Sequence, residues 1–136
     1  MAEQRHAQGL LDTSVVIDLD RLDPDLLPVE VAVSAVTMAE LAAGPHATSD
    51  PDERARRQDR LQRTEATFEP LPFDADAARA YGRLYAAVAS AGRKARGARA
   101  ADLLIAASAH AARLPLYTRN PDHFKALDRM IVVVAI

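Results

Sequence analysis

Apolar residues in this chain fall into short runs with the character of strands and longer stretches with helical spacing. The run before Asp12 is a pair of leucines, and residues 29–34 alternate apolar with smaller or polar side chains and are rich in β-branched residues. Residues 69–73 are extended and contain two prolines, which predicts a strand near a sheet edge. The predicted strands are residues 10–11, 29–34, 69–73, 115–118 and 131–136.

Helix start and stop signals separate these strands. Asp50 followed by Pro51 and further acids is a strong helix start, and Asp74 is a cap for the next helix. On that helix, apolar residues recur at helical spacing, which predicts a core-facing stripe or a self-association face formed by Tyr81, Leu84, Tyr85 and Val88. The predicted helices are residues 14–20, 37–43, 51–67, 75–91, 100–113 and 121–127, with a brief helical turn at 24–28.

The alternation of strands and helices predicts an α/β sandwich with a mostly parallel central sheet. With 136 residues, 49% of them hydrophobic, the chain has the size and apolar content of one domain with a sizeable core. Residues 1–8 are polar and unpatterned and are predicted as a loose tail. The single domain is therefore predicted to span residues 9–136.

Composition narrows the possible chemistry. The 17 basic and 19 acidic residues leave a formal net charge of −2, so a nucleic-acid site must be a local surface. Because no cysteine is present, a metal would be held by oxygen atoms or by one of four histidines. No apolar run is long enough for a membrane span, and residues 1–8 lack the apolar region of a secretory signal, which predicts a soluble, cytoplasmic protein.

Three carboxylates stand out from their surroundings. Asp12 directly follows the first predicted strand, where capping of the next helix is an equally good explanation. Glu40 lies inside a predicted helix and also fits a capping box with Thr37. Asp102 lies near the start of a helix, where the dipole favours an acid, yet it shares a stripe with residues that we expect to be buried, namely Ile105, Ala106 and Ala109.

Taken together, these carboxylates indicate a site. Asp12, Glu40 and residues 118–120 all follow predicted strands, and open parallel sheets bind ligands outside the carboxyl ends of their strands. Carboxylates gathered there repel one another unless a cation neutralises them, and oxygen ligands suit Mg²⁺ or Mn²⁺ better than zinc. Such a cluster commonly activates water for an in-line attack on a phosphodiester.

Four motifs, in this order, resemble those of the PIN-domain nucleases and, among them, of the VapC toxins of bacterial toxin–antitoxin pairs. They are Leu10-Leu11-Asp12-Thr13-Ser14, Ser34-Ala35-Val36-Thr37-Met38-Ala39-Glu40-Leu41 with Gly44, Ala101-Asp102-Leu103-Leu104-Ile105-Ala106-Ala107, and Leu116-Tyr117-Thr118-Arg119-Asn120 with Phe124. The resemblance covers most of the chain from Gly9 onward, and it implies a PIN-like three-layer sandwich. It also implies a Mg²⁺- or Mn²⁺-dependent endoribonuclease that stops translation by cutting RNA. A cognate VapB-like antitoxin would hold it inactive. The protein would form a homodimer or a toxin–antitoxin hetero-oligomer.

The resemblance also implies roles for individual residues. Asp12 and Asp102 match direct metal ligands, and Glu40 matches a ligand through water or a proton acceptor. Asn120 stands where the family often has a fourth acid, so the number of metal ions stays open, and Asp122 is either a substitute for that acid or a residue that serves a helix dipole. The small hydroxyl positions that line such sites are matched by Thr13, Ser14 and Thr118.

Two stretches are rich in basic residues. The segment 92–99 contains four cations that either hold RNA phosphates near Asp102 or belong to a mobile solvated loop, namely Arg93, Lys94, Arg96 and Arg99. The arginines of the predicted helix 51–67 alternate with acids, which predicts a solvated face first and a phosphate-binding face second.

Two other functions stay open on sequence alone. A catalytically silent PIN-like binding module would explain Asn120 as a loss of catalysis. A phosphoacceptor signalling domain would also place acids at strand ends around Mg²⁺. It needs a paired acid directly after the first strand, however, and here Asp12 is followed by Thr13 and Ser14.

Overall fold

Four strands form one parallel sheet in the computed structural model, which describes residues 5–92 and 98–136. The spatial order is β2-β1-β3-β4, and every neighbouring pair is parallel. The strands are β1 (Gln8–Leu11), β2 (Glu30–Val33), β3 (Leu116–Thr118) and β4 (Val133–Ala135). The prediction of an α/β fold with a parallel central sheet is therefore confirmed.

Five α-helices surround this sheet, and shorter 3₁₀ segments connect them. The helices are α1 (Thr13–Ile17), α2 (Ala35–Ala43), α3 (Pro51–Thr67), α4 (Ala75–Ser90) and α5 (Ala98–Ala112). The helix predicted at 14–20 ends at Ile17 and is followed by a 3₁₀ turn, and the helix predicted at 121–127 is itself a 3₁₀ segment, Pro121–Leu127. Across the described residues, none of the helices has the length and apolarity that a bilayer crossing requires.

Local capping residues set where most helices begin. Asp50 accepts a hydrogen bond from the Asp52 amide at 3.1 Å, and Asp74 accepts one from the Ala77 amide at 2.9 Å, as predicted. The capping box of Thr37 with Glu40 is wrong. Ser34 caps α2 instead, because its hydroxyl accepts the Thr37 amide at 3.1 Å, which leaves the side chains of Thr37 and Glu40 for other contacts.

The core lies on both faces of the sheet, so the molecule has three layers. Neighbouring residues of a strand point to opposite faces. On one face, Leu10 and Leu116 are fully buried in a cluster with Leu84 and residues of α5. On the other face, Leu11 and Tyr117 lie in a second cluster with residues of α1, α2 and α3. The three-layer sandwich that the resemblance implied is thus formed by two separate apolar clusters.

The apolar stripe on α4 is mainly a core surface. Leu84 is fully buried, and Tyr81 and Val88 pack against the same cluster. Tyr85 is 49% exposed and lies at the outer margin of the stripe. The core-facing interpretation therefore accounts for three of the four residues, and a self-association face remains a prediction.

The strand predicted at residues 69–73 does not form. The segment does lie at the edge of the sheet, as predicted. Leu71 forms a single parallel bridge with Ser34 at the free side of β2. The Leu71 amide donates to the Val33 carbonyl at 2.9 Å, and the Ala35 amide donates to the Leu71 carbonyl at 2.8 Å. Pro70 and Pro72, on either side of Leu71, have no amide hydrogen, which is typical of a segment at the edge of a sheet.

Part of the predicted loose tail is ordered by the sheet. β1 begins at Gln8, and the carbonyls of His6 and Ala7 accept hydrogen bonds from the amides of Val29 and Glu30 at 3.0 and 2.8 Å. The Arg5 guanidinium also donates to the Leu27 carbonyl at 3.1 Å. Residues 5–8 are therefore bound to the segment leading into β2, while residues 1–4 lie outside the described part of the chain.

Candidate active site at the carboxyl edge of the sheet

Asp12 lies at the carboxyl end of β1, between the two neighbouring strands β2 and β3. Its amide donates to the Tyr117 carbonyl at 2.8 Å, and its side chain is only 2% exposed. One carboxylate oxygen, Oδ1, accepts the Thr13 amide at 2.9 Å as the cap of α1. Capping, the alternative role that the sequence left open, is therefore observed, and it involves only one of the two oxygens.

The second oxygen of Asp12 is held by two hydroxyl groups. Oδ2 accepts hydrogen bonds from Ser14 Oγ at 2.9 Å and from Thr118 Oγ1 at 2.8 Å. Each hydroxyl also accepts a backbone amide, from Arg119 to Ser14 at 3.1 Å and from Asn120 to Thr118 at 3.0 Å. The loop after β3 thus fixes the direction of the Asp12 carboxylate.

A second chain of hydroxyl groups ends on Glu40, which projects from α2. The Thr13 hydroxyl donates to Glu40 Oε1 at 2.7 Å, so its single proton is used there. Thr37 must then be the donor in its 2.9 Å contact with Thr13, and Ser34 donates to Thr37 at 3.3 Å. Three hydroxyls therefore point their protons toward Glu40. Ser34 and Thr37 are fully buried members of the site that the sequence analysis did not identify.

Asp102, on α5, is the third acid of the site. Its pKa is raised above the ordinary value, first by burial and then by the negative charges of Asp12 and Glu40. His123 acts in the opposite direction, because its charge and hydrogen bond lower the pKa of the same carboxyl group. Asp12 and Glu40 are linked through Thr13, whose amide donates to Asp12 and whose hydroxyl donates to Glu40, while Asp102 contacts His123 of the segment after β3.

His123 is a site residue that the sequence analysis missed. Its Nδ1 lies 3.0 Å from Asp102 Oδ2. The segment Pro121–Leu127 is a 3₁₀ helix with three residues per turn, so His123 follows Asn120 on the same side. If the segment after Pro121 had been predicted as a 3₁₀ helix, position 123 and not position 122 would have been predicted as the site residue.

Asn120 and Asp122 do not contribute as predicted. Both are exposed, and the described contact of Asn120 with the site is its backbone amide to Thr118. Asp122 pairs with Lys125 at 3.4 Å on the surface, so it does not substitute for a fourth acid. The predicted phosphate contacts of Arg93, Lys94 and Arg96 lie outside the described residues, and so does the side chain of Arg99.

The arginines of α3 have mixed roles. Arg57 donates to Glu53 and to the Gly44 carbonyl at 3.1 and 2.9 Å, and Arg54 donates to two backbone carbonyls, so both hold the α2–α3 connection. Arg60 lines a cavity of about 320 Å³ that also reaches Thr13 and Glu40. A solvated face therefore describes only part of α3, because two of its arginines, Arg57 and Arg60, line this cavity.

The donor chemistry of the site fits a hard divalent cation. All three acids offer carboxylate oxygens, and the repulsion that raises the pKa of Asp102 is the kind that a bound cation relieves. Among the described residues, no three His, Cys, Asp or Glu side chains are grouped closely enough to hold a metal ion together. The site therefore suits a divalent cation in its negative charge and in the type of its ligand atoms.

Comparisons with known proteins agree with this geometry. The PIN domain family model matches residues 9–130, a range that includes all three acids. The chain is similar to Ribonuclease VapC5 of Mycobacterium tuberculosis, with 44% identity over 125 residues that cover 90% of this chain and 89% of that protein.

Two solved structures extend the similarity to the fold. VapBC-5 from Mycobacterium tuberculosis, a member of the VapBC family of toxin–antitoxin systems, matches with a TM-score of 0.83 and 42% identity, covering 96% of this chain and 99% of that chain. FitAcB from Neisseria gonorrhoeae matches with a TM-score of 0.68 and 29% identity, covering 91% and 94% of the two chains. The similarity thus spans nearly the whole chain.

Proposed function

The chain belongs to the PIN-domain family, and on this premise we propose that it is a metal-dependent endoribonuclease and the toxin of a bacterial toxin–antitoxin pair. The observation that supports the proposal is the link of Asp12 and Glu40 through Thr13 at the carboxyl edge of the sheet, together with the contact of Asp102 with His123 in the segment after β3. The relative with 44% identity is named a ribonuclease, which supports RNA as the substrate.

Asp12 and Asp102 would hold Mg²⁺ or Mn²⁺ directly, and Glu40 would act through water or as a proton acceptor. When bound, the cation would neutralise the phosphate charge and lower the pKa of a coordinated water. The ordered hydroxyls of Ser14 and Thr118 would keep the Asp12 carboxylate in one orientation before the cation arrives.

Glu40 is suited to accept a proton. Its Oε1 already accepts the Thr13 hydroxyl, and the hydroxyl chain from Ser34 and Thr37 keeps that proton pointed toward it. The side chain is exposed, so Oε2 is available on the side where substrate and solvent approach. Arg60 borders the same cavity and would offer a positive charge to an RNA phosphate.

A VapB-like antitoxin is the proposed partner. The structure of VapBC-5, similar to this chain over 96% of its length, is that of a toxin–antitoxin system. We propose a homodimer or a toxin–antitoxin hetero-oligomer, and we propose that the protein acts in the bacterial cytoplasm, where it would inhibit translation by cleaving RNA.

Cleavage by purified variants tests the proposal. Asp12→Asn should lower the RNA cleavage rate by about 100-fold or more, because it removes the charge that a cation needs at the centre of the site. Asp122→Asn is the matched control, since it makes the same chemical change on a nearby exposed acid and should leave the rate unchanged.

Full activity in the Asp12→Asn protein, with Mg²⁺ or Mn²⁺ present, would refute the proposed site. Absence of cleavage in the parent protein would favour a catalytically silent binding module. Expression of the parent should also arrest bacterial growth, and co-expression of the adjacent antitoxin gene should restore it.

A further inference from the structure

A basic cavity lies at the end of the sheet opposite to the acidic site. It has a volume of about 650 Å³, and residues just before β1, β3 and β4 line it together with the C-terminal end of α5 and the first turns of α4. We call it the amino-edge cavity, and its charged and imidazole side chains are His6, Asp76, Arg79, Arg83, His110 and Arg113.

The lining carries an excess of positive charge. Three arginines face one aspartate, in a protein whose formal net charge is −2. Arg79 forms an ion pair with Asp76, and within the described part of the chain Arg83 and Arg113 take part in no ion pair. Two guanidinium groups therefore border the cavity without a carboxylate partner there.

Arg113 has a backbone conformation that an arginine does not favour. Its φ of +57° lies in the left-handed region, directly after the end of α5. The Leu114 amide donates to the Ala109 carbonyl at 2.9 Å and the Arg113 amide to the His110 carbonyl at 3.2 Å, which is the helix termination that normally has glycine at this position. The helix therefore ends at an arginine in a conformation that glycine adopts with less strain.

The imidazole of His110 has a fixed tautomer at the cavity. Its Nδ1 lies 3.0 Å from the Met130 carbonyl, and because a carbonyl can only accept, Nδ1 carries the proton. Nε2 is then left for a ligand and can accept a hydrogen bond from a hydroxyl group, such as that of a ribose or of a singly protonated phosphate.

We propose that the amino-edge cavity is an anion site that binds a phosphate-bearing ligand, with Arg83 and Arg113 as its main contacts. Planar guanidinium groups match the paired oxygens of a phosphate, and the volume is in the range of small-molecule sites that accept a nucleotide. The phosphate comes either from a free nucleotide or from the backbone of a bound RNA. The site is separate from the acidic carboxyl edge and does not depend on cleavage.

Calorimetric titration of the full chain with ADP, in the presence of EDTA, tests the proposal. EDTA removes cations from the carboxyl edge, so phosphate binding there does not contribute. We expect Arg113→Gly and Arg83→Gln each to weaken ADP binding by about tenfold or more, because each removes charge-assisted hydrogen bonds. Arg63→Gln is the matched control, since it changes the net charge equally on an exposed arginine outside the cavity.

The same variants are then titrated with a 2′-O-methylated RNA oligonucleotide, which distinguishes the two sources of phosphate. Weaker binding of ADP identifies a nucleotide site, and weaker binding of RNA alone identifies the RNA backbone. Equal affinities of the parent, Arg113→Gly and Arg83→Gln for both probes would overturn the proposal, and so would absence of binding of both probes at millimolar concentration.

Thermal unfolding separates binding from folding. A purely structural role of Arg113 at the negative end of α5 predicts a lower melting temperature for Arg113→Gly. The proposal predicts an equal or higher one, because glycine adopts the left-handed conformation without strain. These titrations measure binding without a metal. If no anion binds, the nuclease proposal still stands, and if no RNA is cleaved, the anion-site proposal still stands.

Discussion

The two ends of the same sheet have opposite chemistry. At the carboxyl edge, hydroxyl groups orient Asp12 and Glu40, and the His123 imidazole contacts Asp102. At the amino edge, arginines border a larger cavity, and one of them has a left-handed backbone. Acids held by donated hydrogen bonds suit a cation, whereas arginines without carboxylate partners suit an anion. The two edges therefore differ in whether hydrogen bonds hold their charged side chains, as well as in the sign of the charge.

Thr118→Val, which removes one hydroxyl at the carboxyl edge, is expected to lower both activity and stability. Valine keeps the shape but removes the 2.8 Å hydrogen bond to Asp12 Oδ2, which then has Ser14 as its remaining hydroxyl donor, and the 3.0 Å bond that the Asn120 amide donates to Thr118. We expect the cleavage rate to fall about 10- to 100-fold and the free energy of unfolding to fall by about 1–3 kcal/mol.

RNase assays and urea unfolding measure both effects, with Thr67→Val as the exposed control on α3. Unchanged cleavage in Thr118→Val would mean that the hydroxyl network does not orient the acid.

Gly9→Ala should disturb the strand that joins the two edges. A Cβ at Gly9 would lie 2.5 Å from Tyr117 Cε1 and 2.9 Å from Pro28 Cγ, so the buried tyrosine ring would have to move. We expect the free energy of unfolding to fall by about 1–3 kcal/mol.

Gly82→Ala is the control for the same substitution in open space, because nothing lies within 4 Å of the new Cβ. That change should stabilise α4 by about 0.5–1 kcal/mol. Equal effects of the two substitutions in chemical denaturation would show that the close approach at Gly9 is unimportant.

Asp102→Asn should stabilise the metal-free protein while it abolishes cleavage. The folded-state pKa of Asp102 is raised, so the ionised carboxylate costs stability above that pKa. A neutral asparagine avoids this cost, and we expect a gain of about 1 kcal/mol or less at neutral pH.

The melting temperature as a function of pH tests the sign of this stability change. The advantage of Asp102→Asn should be largest above the raised pKa and should vanish below the ordinary carboxyl value, where the parent side chain is protonated in both states. An advantage that does not depend on pH would mean that the ionised Asp102 carboxylate, disfavoured by burial and by neighbouring acids, is not its cause.

The smallest effect is expected from Arg113→Gly at the amino edge, measured as stability. Relief of the left-handed backbone should raise the free energy of unfolding by about 0.5–1 kcal/mol. Asp102→Asn and Arg113→Gly together should be additive, because the two residues lie at opposite edges. Strong non-additivity would mean that the two edges are coupled through the sheet.

Features that depend on neighbouring residues in sequence were predictable. Asp50 and Asp74 cap helices because the acceptor and the free amides lie within four residues of each other. The order of strands and helices, and the acids that follow strand ends, also depend on local pattern. For this reason the α/β class was predicted and confirmed, while the role of Asp12, Glu40 and Asp102 in one site stays a prediction.

Errors arose where a partner distant in sequence decides the outcome. Residues 69–73 have strand character, but only Leu71 finds a partner, at Ser34. Thr37 was predicted as a cap, yet its hydroxyl lies between those of Ser34 and Thr13, and no local pattern indicates a contact to a residue in another element. His123 reaches Asp102 only because Pro121–Leu127 folds as a 3₁₀ helix against α5.

The sequence by itself determined the elements, the caps and which acids follow strands, because these depend on hydrogen bonds and periodicities within a few residues. Only the tertiary structure decided which hydroxyls hold Asp12, which residue of the 121–127 segment meets Asp102, and that Arg83 and Arg113 border one cavity. The parallel sheet brings together residues that are distant along the chain, and each contact then depends on the register and packing of whole elements.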